Sequence, residues 1–166
     1  VYQDSLDSDS VILSKIFNDG NNDGVSLFRD DAGYSSDRTD TYKIYIADSP
    51  STSTASVEGE QDTSPLNEWT HVCFTYTEGS STGLRLYVNG QEDSNSPAGT
   101  TVITDINSGS TELRIGTNNV GGNPFNGMID EVMLWNRTLT GQDVQDLYNS
   151  YSGGLIAHWT FDEQDI

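Results

Sequence analysis

Apolar residues recur along this chain in short alternating runs, separated by clusters of Ser, Thr, Asn, Asp and Gly. A period of two sends successive side chains to opposite faces of a strand, so each run reads as a half-buried β-strand bounded by turns. Residues 11–17 (VILSKIF) and 25–29 (VSLFR) flank a polar loop and predict a hairpin with an elaborate turn. Residues 41–47 set Tyr42, Ile44 and Ile46 on one face against Lys43 and Tyr45 on the other. The stretch 48–65 is Ser/Thr-rich and predicts loop, with one weak strand at 55–58. Further on, 70–77 puts Val72, Phe74 and Tyr76 on one face, and 84–88 does the same with Leu84, Leu86 and Val88. Asn89-Gly90 then supplies a tight turn, because both residues tolerate positive φ. Weaker strands are expected at 101–106 and 112–115, and the set is completed by 128–135 and 155–161.

One segment changes period. Over 141–148, Val144, Leu147 and Tyr148 fall at i, i+3 and i+4 and form a single apolar stripe, with Thr140 and Asp143 placed as a helix cap. This short helix is expected to seal an edge or end of the sheets. No linker and no internal repeat interrupts the pattern, so 1–166 reads as one domain.

Composition agrees. The 166 residues can bury a core without staples, and with 33% apolar and 20% charged residues the balance is made up by turn formers. An all-β, antiparallel β-sandwich is the expectation. The net charge of −19, from 26 acidic and 7 basic residues, excludes nucleic acid as a partner, since phosphate recognition needs clustered Lys and Arg. It also disfavours anionic membrane surfaces, and no run is apolar enough to be inserted in a membrane. Divalent cations, neutral glycans and other proteins remain, beside solubility as the whole purpose of the charge. Cys73 is the single cysteine, so no intrachain disulfide forms. A secreted or cell-surface protein of prokaryotic origin fits that usage. The start at Val1-Tyr2-Gln3, with neither Met nor signal peptide, reads as a mature or partial chain.

Three stretches resemble the laminin-G-like, concanavalin A-like lectin/glucanase jelly-roll domains. The first runs from Asn67-Glu68-Trp69-Thr70-His71-Val72 through Tyr76 to Leu86-Tyr87-Val88-Asn89-Gly90. The second is Leu113-Arg114-Ile115-Gly116. The third is Phe125-Asn126-Gly127-Met128-Ile129-Asp130-Glu131-Val132, then Trp135-Asn136-Arg137, Leu139-Thr140 and the helix to Tyr148. The resemblance covers about 11–148 and implies the jelly-roll topology, which alternation alone does not fix. The chain departs from the family at both ends. The usual opening strand, of the type Trp-x-Phe-Asp-Glu, is absent from the N-terminus, while 155–163 (LIAHWTFDE) looks like it at the C-terminus. The segment 155–166 is therefore either a slice into a following repeat or a strand that completes the sandwich, pairing antiparallel with 128–135.

The candidate chemistry is one of binding. Glucanases on this fold carry an acidic Glu-x-Asp-x-x-Glu type cluster on one strand; here Asp130 and Glu131 are adjacent and point to opposite faces, so no catalytic residue is assigned. The histidines His71 and His158 lie in no nucleophile motif, and His71 with Cys73 lacks the second pair that a zinc site needs. Asp19, Asn21 and Asp23 stand at i, i+2 and i+4 before Gly24, as in the first half of a calcium loop, with Asp30 where a closing carboxylate would fall. The alternative is a plain turn, since Asn, Asp and Gly are turn residues. The resemblance implies a second calcium site where first and last strands meet, which here maps to Asp130 or Glu131 with Asp162 or Glu163. The alternative there is strand-end carboxylates facing water. Asn118, Asn119 and Asn123, in a Gly/Asn loop, could bind sugar hydroxyls while Phe125 or Trp135 stacks on a ring; such loops are also often only loops. Asn136-Arg137-Thr138 matches an N-glycosylation acceptor. Together these features predict a non-catalytic extracellular adhesion or binding module for a glycan or surface protein, with structural calcium. Two alternatives stand beside it. One is a subunit that self-associates into filaments or tandem arrays by strand addition, and the other is an accessory domain of a carbohydrate-active enzyme.

Overall fold

The computed structural model describes residues 1–5, 10–17, 23–30, 40–48, 53–97, 101–104, 106, 111–118 and 121–152. Ten strands and one helix follow in order: β1 (Tyr2–Gln3), β2 (Ser10–Phe17), β3 (Asp23–Asp30), β4 (Thr41–Ala47), β5 (Thr54–Glu58), β6 (Val72–Thr75), β7 (Arg85–Val88), β8 (Gln91–Glu92), β9 (Arg114–Ile115), β10 (Gly127–Met128) and α1 (Gly141–Ser152). They form a five-stranded sheet in the order β5-β4-β3-β2-β9, a three-stranded sheet β6-β7-β8 and a two-stranded ribbon β1-β10. All their pairings are antiparallel.

Alternation decides which face of the large sheet is dry. Leu13 stands opposite Leu27, Leu27 opposite Ile44, and Ile44 opposite Val57, so one apolar row crosses four strands. These four side chains are buried together with Ile12, Tyr42, Ile46 and Ala55, and Leu84, Leu86 and Ile103 close over them from the other layer. The register slips between Val11 and Leu13. Burial runs unbroken from Ser10 to Ser14 across this irregularity, so both faces of β2 are covered there. Val72, Phe74, Tyr76 and Val88 pack on the same core from β6, β7 and the chain beside them. Asn89 and Gly90, both at positive φ, turn β7 into β8.

The back of the small sheet is dry as well. Tyr87 clusters with Leu139 and Val144, and Cys73 and Leu147 pack against them. Helix α1 therefore lies across the outer face of β6 and β7. Its start is fixed by a reciprocal cap: the Asp143 N–H donates to Thr140 Oγ1 at 3.1 Å, and the Thr140 N–H donates to Asp143 Oδ2 at 2.8 Å. The Arg137 guanidinium reaches the same carboxylate at 3.0 Å and, with the Thr140 donors, holds Asp143 far below the usual carboxylate range. The helix runs four residues past the expected end at Tyr148. The Gln145–Asn149 side-chain pair at i, i+4 reaches into the added turn.

The described cations are held locally. Arg29, 1% exposed, donates from Nε to Ser64 at 2.8 Å and from Nη2 to Asp40 at 2.5 Å. Lys43 bridges Asp30 and Glu58 at 3.4 Å each, and Arg85 pairs with Glu92. Lys15 donates to the Thr111 carbonyl, Arg114 lies near Glu112, and Arg137 holds Asp143.

Three expected strands are shorter than alternation suggests. Of 128–135 only Met128 is in a strand, in β10; Glu131 takes a φ of 51°, which breaks the pleat. Of 112–115 only Arg114–Ile115 pairs, as β9. Among the described residues of 101–106 a single bridge, Ile106 to Asp48, is formed. There the backbone serves loops instead, the Ile103 carbonyl accepting from the Gly79 N–H at 3.1 Å and from the Tyr76 hydroxyl. The expected strand at 155–161 lies outside the described residues.

Ile44 sits at the centre of the four-strand row and is fully buried. Ile44→Ala should lower unfolding free energy by about 2–5 kcal/mol, since it removes apolar contacts and leaves a cavity. Denaturant melts followed by far-UV circular dichroism would measure it.

Candidate functional site

Beside the ribbon β1-β10 stands the exposed ring of Trp69. Tyr2 pairs with Met128 on one side and bridges Trp69 on the other. Residues opposite one another in adjacent strands share a face, so Trp69, Tyr2 and Met128 form one lateral row. Trp69 is 54% exposed and Met128 50%, and the Tyr2 and Trp69 rings lie 5.7 Å apart, tilted by 55°. The backbone beneath them is tied down: the Asn67 N–H donates to the Gln3 carbonyl and the Thr70 N–H to the Val1 carbonyl, each at 2.8 Å. Gly127 is required here, because a Cβ at that position would stand 2.1 Å from the Tyr2 carbonyl oxygen. Gln3, the next residue of β1, points inward and is buried, with its amide donating to Ser10.

A polar row borders the apolar one. Asp4 donates its N–H to the Asn126 carbonyl at 3.0 Å, and both residues are exposed, two positions along the chain from Tyr2 and Met128. Asn126 also donates from Nδ2 to Ser5 Oγ at 2.6 Å. The arrangement is an exposed aromatic step beside a carboxylate and an amide, set on hydrogen-bonded backbone. Such a surface can pack on the flat face of a pyranose and bond its hydroxyls. In the sequence Trp69 reads only as the lead-in to a core strand. Two-residue pairings carry no periodicity, so only the bridge itself shows that Trp69 and Tyr2 meet.

The sequence-predicted sites fare unevenly. Asp19 and Asn21 of the calcium loop, and Asp162, lie outside the described residues, as does Asn119 of the glycan loop. Asp23 and Asp30 are the two ends of β3, so the extended strand, about 23 Å long at 3.3 Å per residue, separates them. Asp30 is buried against Lys43 and does not close the loop at Asp23. Position counting alone puts Asp30 at the closing place, but 25–29 is strand in the sequence pattern as in the structure, and the chain is extended there. Asp130 is exposed, and its Oδ1 accepts the Glu131 N–H at 2.9 Å. No three His, Cys, Asp or Glu side chains gather as a metal site among the described residues.

In the Gly/Asn loop, Asn118 closes its own turn: its Oδ1 accepts the Gly122 N–H at 2.7 Å and its N–H donates to the Gly122 carbonyl. Asn123 is exposed at positive φ, and its carbonyl accepts the Val11 N–H. Phe125, expected to stack on a sugar, packs instead against the main core. Trp135 is exposed and lines a groove of about 290 Å³ with Arg137, Leu139 and the α1 residues Asp143, Asp146, Leu147 and Ser150. Asn136 is exposed in a bend, and the Thr138 hydroxyl donates to the Tyr76 carbonyl at 2.8 Å. His71 and Cys73 are covered by α1: the His71 ring is 5.9 Å from Tyr148, and burial pushes the Cys73 thiol up to about 11.

The concanavalin A-like lectin/glucanases superfamily profile, of laminin G type, matches residues 1–145 of this chain. The human Adhesion G-protein coupled receptor D1 is 34% identical over 86 residues, which is 51% of this chain and 10% of the receptor's length. No solved structure matches the chain.

Burial holds His71 below its ordinary value, so the folded state refuses a proton that the unfolded chain accepts. Its contribution is complete above about pH 6.5 and is lost as pH falls through that value toward the depressed folded one. Urea melts at pH values between about 7 and 5 should show a shallower fall in midpoint for His71→Gln than for the parent.

Proposed function

Because this chain belongs to the concanavalin A-like lectin/glucanases superfamily as a laminin G domain, we propose that it is a non-catalytic binding module displayed outside the cell, holding a neutral glycan on the Trp69–Tyr2–Met128 row. The exposure of Trp69 on a row of apolar neighbours carries the reading. Apolar side chains in such rows are ordinarily buried, and contiguous exposed ones mark contact sites. An aromatic face stacks on the C–H face of a sugar, while Asp4 and Asn126 supply the acceptor and donor that orient its hydroxyls. The surplus of negative charge favours a neutral ligand over a sulfated or phosphorylated one. The adhesion receptor that shares half of this chain's length supports placement in a surface protein.

Titrating the intact chain with a panel of neutral oligosaccharides, read by tryptophan fluorescence, tests the site. Trp69→Ala should weaken binding by about tenfold or more, roughly 1.4 kcal/mol, with little change in melting temperature. Asn123→Ala in the neighbouring loop should bind as the parent does. Equal affinity in Trp69→Ala, or loss in Asn123→Ala alone, would move the site to the Gly/Asn loop.

Calcium belongs to the same proposal, at the turn between β2 and β3. Pairing of these strands continues to Phe17 opposite Asp23, and Asp19 and Asn21 fall between those two positions in the sequence. Calcium bound only by the folded state raises stability by mass action. Calcium should therefore raise the melting temperature, and Asp19→Ala with Asp23→Ala should remove most of the rise. Identical melting curves with calcium and with chelator would exclude the ion.

A further inference from the structure

Behind the Trp69–Tyr2 row the core carries a polar layer. Ser10 stands opposite Arg29 and Arg29 opposite Tyr42, so the three form one lateral row on the inner face of the large sheet, two residues along from Leu27 and Ile44. Gln3 and Thr70, the inward neighbours of Tyr2 and Trp69, meet this row from the other side. Gln3 bonds Ser10. Burial holds the Tyr42 phenol above its ordinary value, and Thr70 beside it opposes the shift without reaching hydrogen-bond geometry. Arg29 therefore lies between Gln3 and Thr70, and all five side chains are 1–2% exposed.

Hydrogen bonds within the protein satisfy only part of this layer. Arg29 donates from Nε to Ser64 and from Nη2 to Asp40 and the Ser64 carbonyl. Gln3 donates from Nε2 to the Ser5 carbonyl and to Ser10 Oγ at 3.1 Å each. Among the described residues, Arg29 Nη1, Gln3 Oε1 and Thr70 Oγ1 have no partner. Polar atoms this deeply buried are ordinarily paired, with protein or with an internal water. We infer that one water molecule binds here, accepting from Arg29 Nη1 and donating to Gln3 Oε1 and Thr70 Oγ1, and that through it Arg29 positions the Trp69–Tyr2 row. The donor set selects water over an ion. The Gln3 amide nitrogen is committed elsewhere, so an anion would lie against the amide oxygen, and a cation would lie against the guanidinium. A larger solute would have to part the two layers. The bridge joins β3, the middle strand of the large sheet, to the two residues whose chain neighbours face the solvent.

Two measurements on the intact chain test this, and neither uses a sugar, so failure of the bridge and failure of the glycan reading are told apart. A crystal structure grown with bromide should show one peak about 2.7–3.2 Å from Arg29 Nη1, Gln3 Oε1 and Thr70 Oγ1, without anomalous bromide signal. A bromide signal there, or the three atoms paired to protein groups with no peak between them, overturns the inference. Hydrogen exchange reads the positioning. Thr70→Val removes one partner of the water but keeps the shape of the side chain. It should lower protection of the Asn67 amide, which bonds the Gln3 carbonyl, by about tenfold while β3 and β4 keep theirs. Thr70→Ser retains the hydroxyl and should match the parent. Unchanged protection in Thr70→Val, equal loss in both variants, or loss spread evenly through β3 and β4 overturns the positioning role.

Discussion

The contact between the Leu13–Leu27–Ile44–Val57 row and Leu84, Leu86 and Ile103 is the one on which the rest of this molecule depends. A five-stranded sheet cannot keep an apolar face in water, and a short three-stranded sheet cannot stand alone. Each becomes stable only as the other's cover. The outer elements are conditional on that contact. Helix α1 has a surface to dock on because β6 and β7 are already held from the inside, so the Tyr87–Leu139–Val144 cluster is a second core built on the first. Asp93 then joins the layers at one end, its carboxylate accepting the Glu60 and Asn95 N–H groups at 2.9 Å each.

The Trp69–Tyr2–Met128 row stands outside this hierarchy. Tyr2, Trp69 and Met128 face away from the core, while their strand neighbours Gln3 and Thr70 face inward and are buried. Position is thus set by backbone bonds and by the inward residues, and chemistry by the outward ones. A laminin G domain arranged this way can change the chemistry of this row by substitution without repacking its interior.

How far the sequence can be read depends on how far periodicity reaches. Alternation alone places Tyr42, Ile44 and Ile46 on the buried face, turn chemistry places Asn89-Gly90, and cap spacing places Thr140 with Asp143; all three signals are local and strong. The bulge at Ile12 is not legible, because three apolar residues in succession do not say which one is extra. The segment 128–135 reads as one long strand, because alternation reports a wet and a dry side but not whether a partner exists or that Glu131 adopts positive φ. Phe125 goes to a ligand on the strength of its Asn and Gly neighbours, yet the core claims it. Asp30 falls at the correct sequence distance for a calcium loop, but β3 turns that distance into length. The Trp69–Tyr2 meeting joins residues 67 positions apart through a single bridge, and no local pattern encodes such a pair.

The way the described cations are held has a colloidal consequence. Arg29, Lys43, Arg85 and Arg137 each lie within salt-bridge reach of a neighbouring carboxylate, so little positive charge is left to bind another molecule's acids. The net charge of −19 is then a shell of one sign around a protein that also shows Trp69, Leu134 and Trp135 to solvent. Apolar surface attracts copies at contact, and the shell repels them over about one Debye length, near 10 Å in 0.1 M salt and 3 Å in 1 M. Ionic strength therefore sets the balance between dispersed and clustered chains, with repulsion reaching past the apolar patches in dilute buffer and collapsing to their own height in brine.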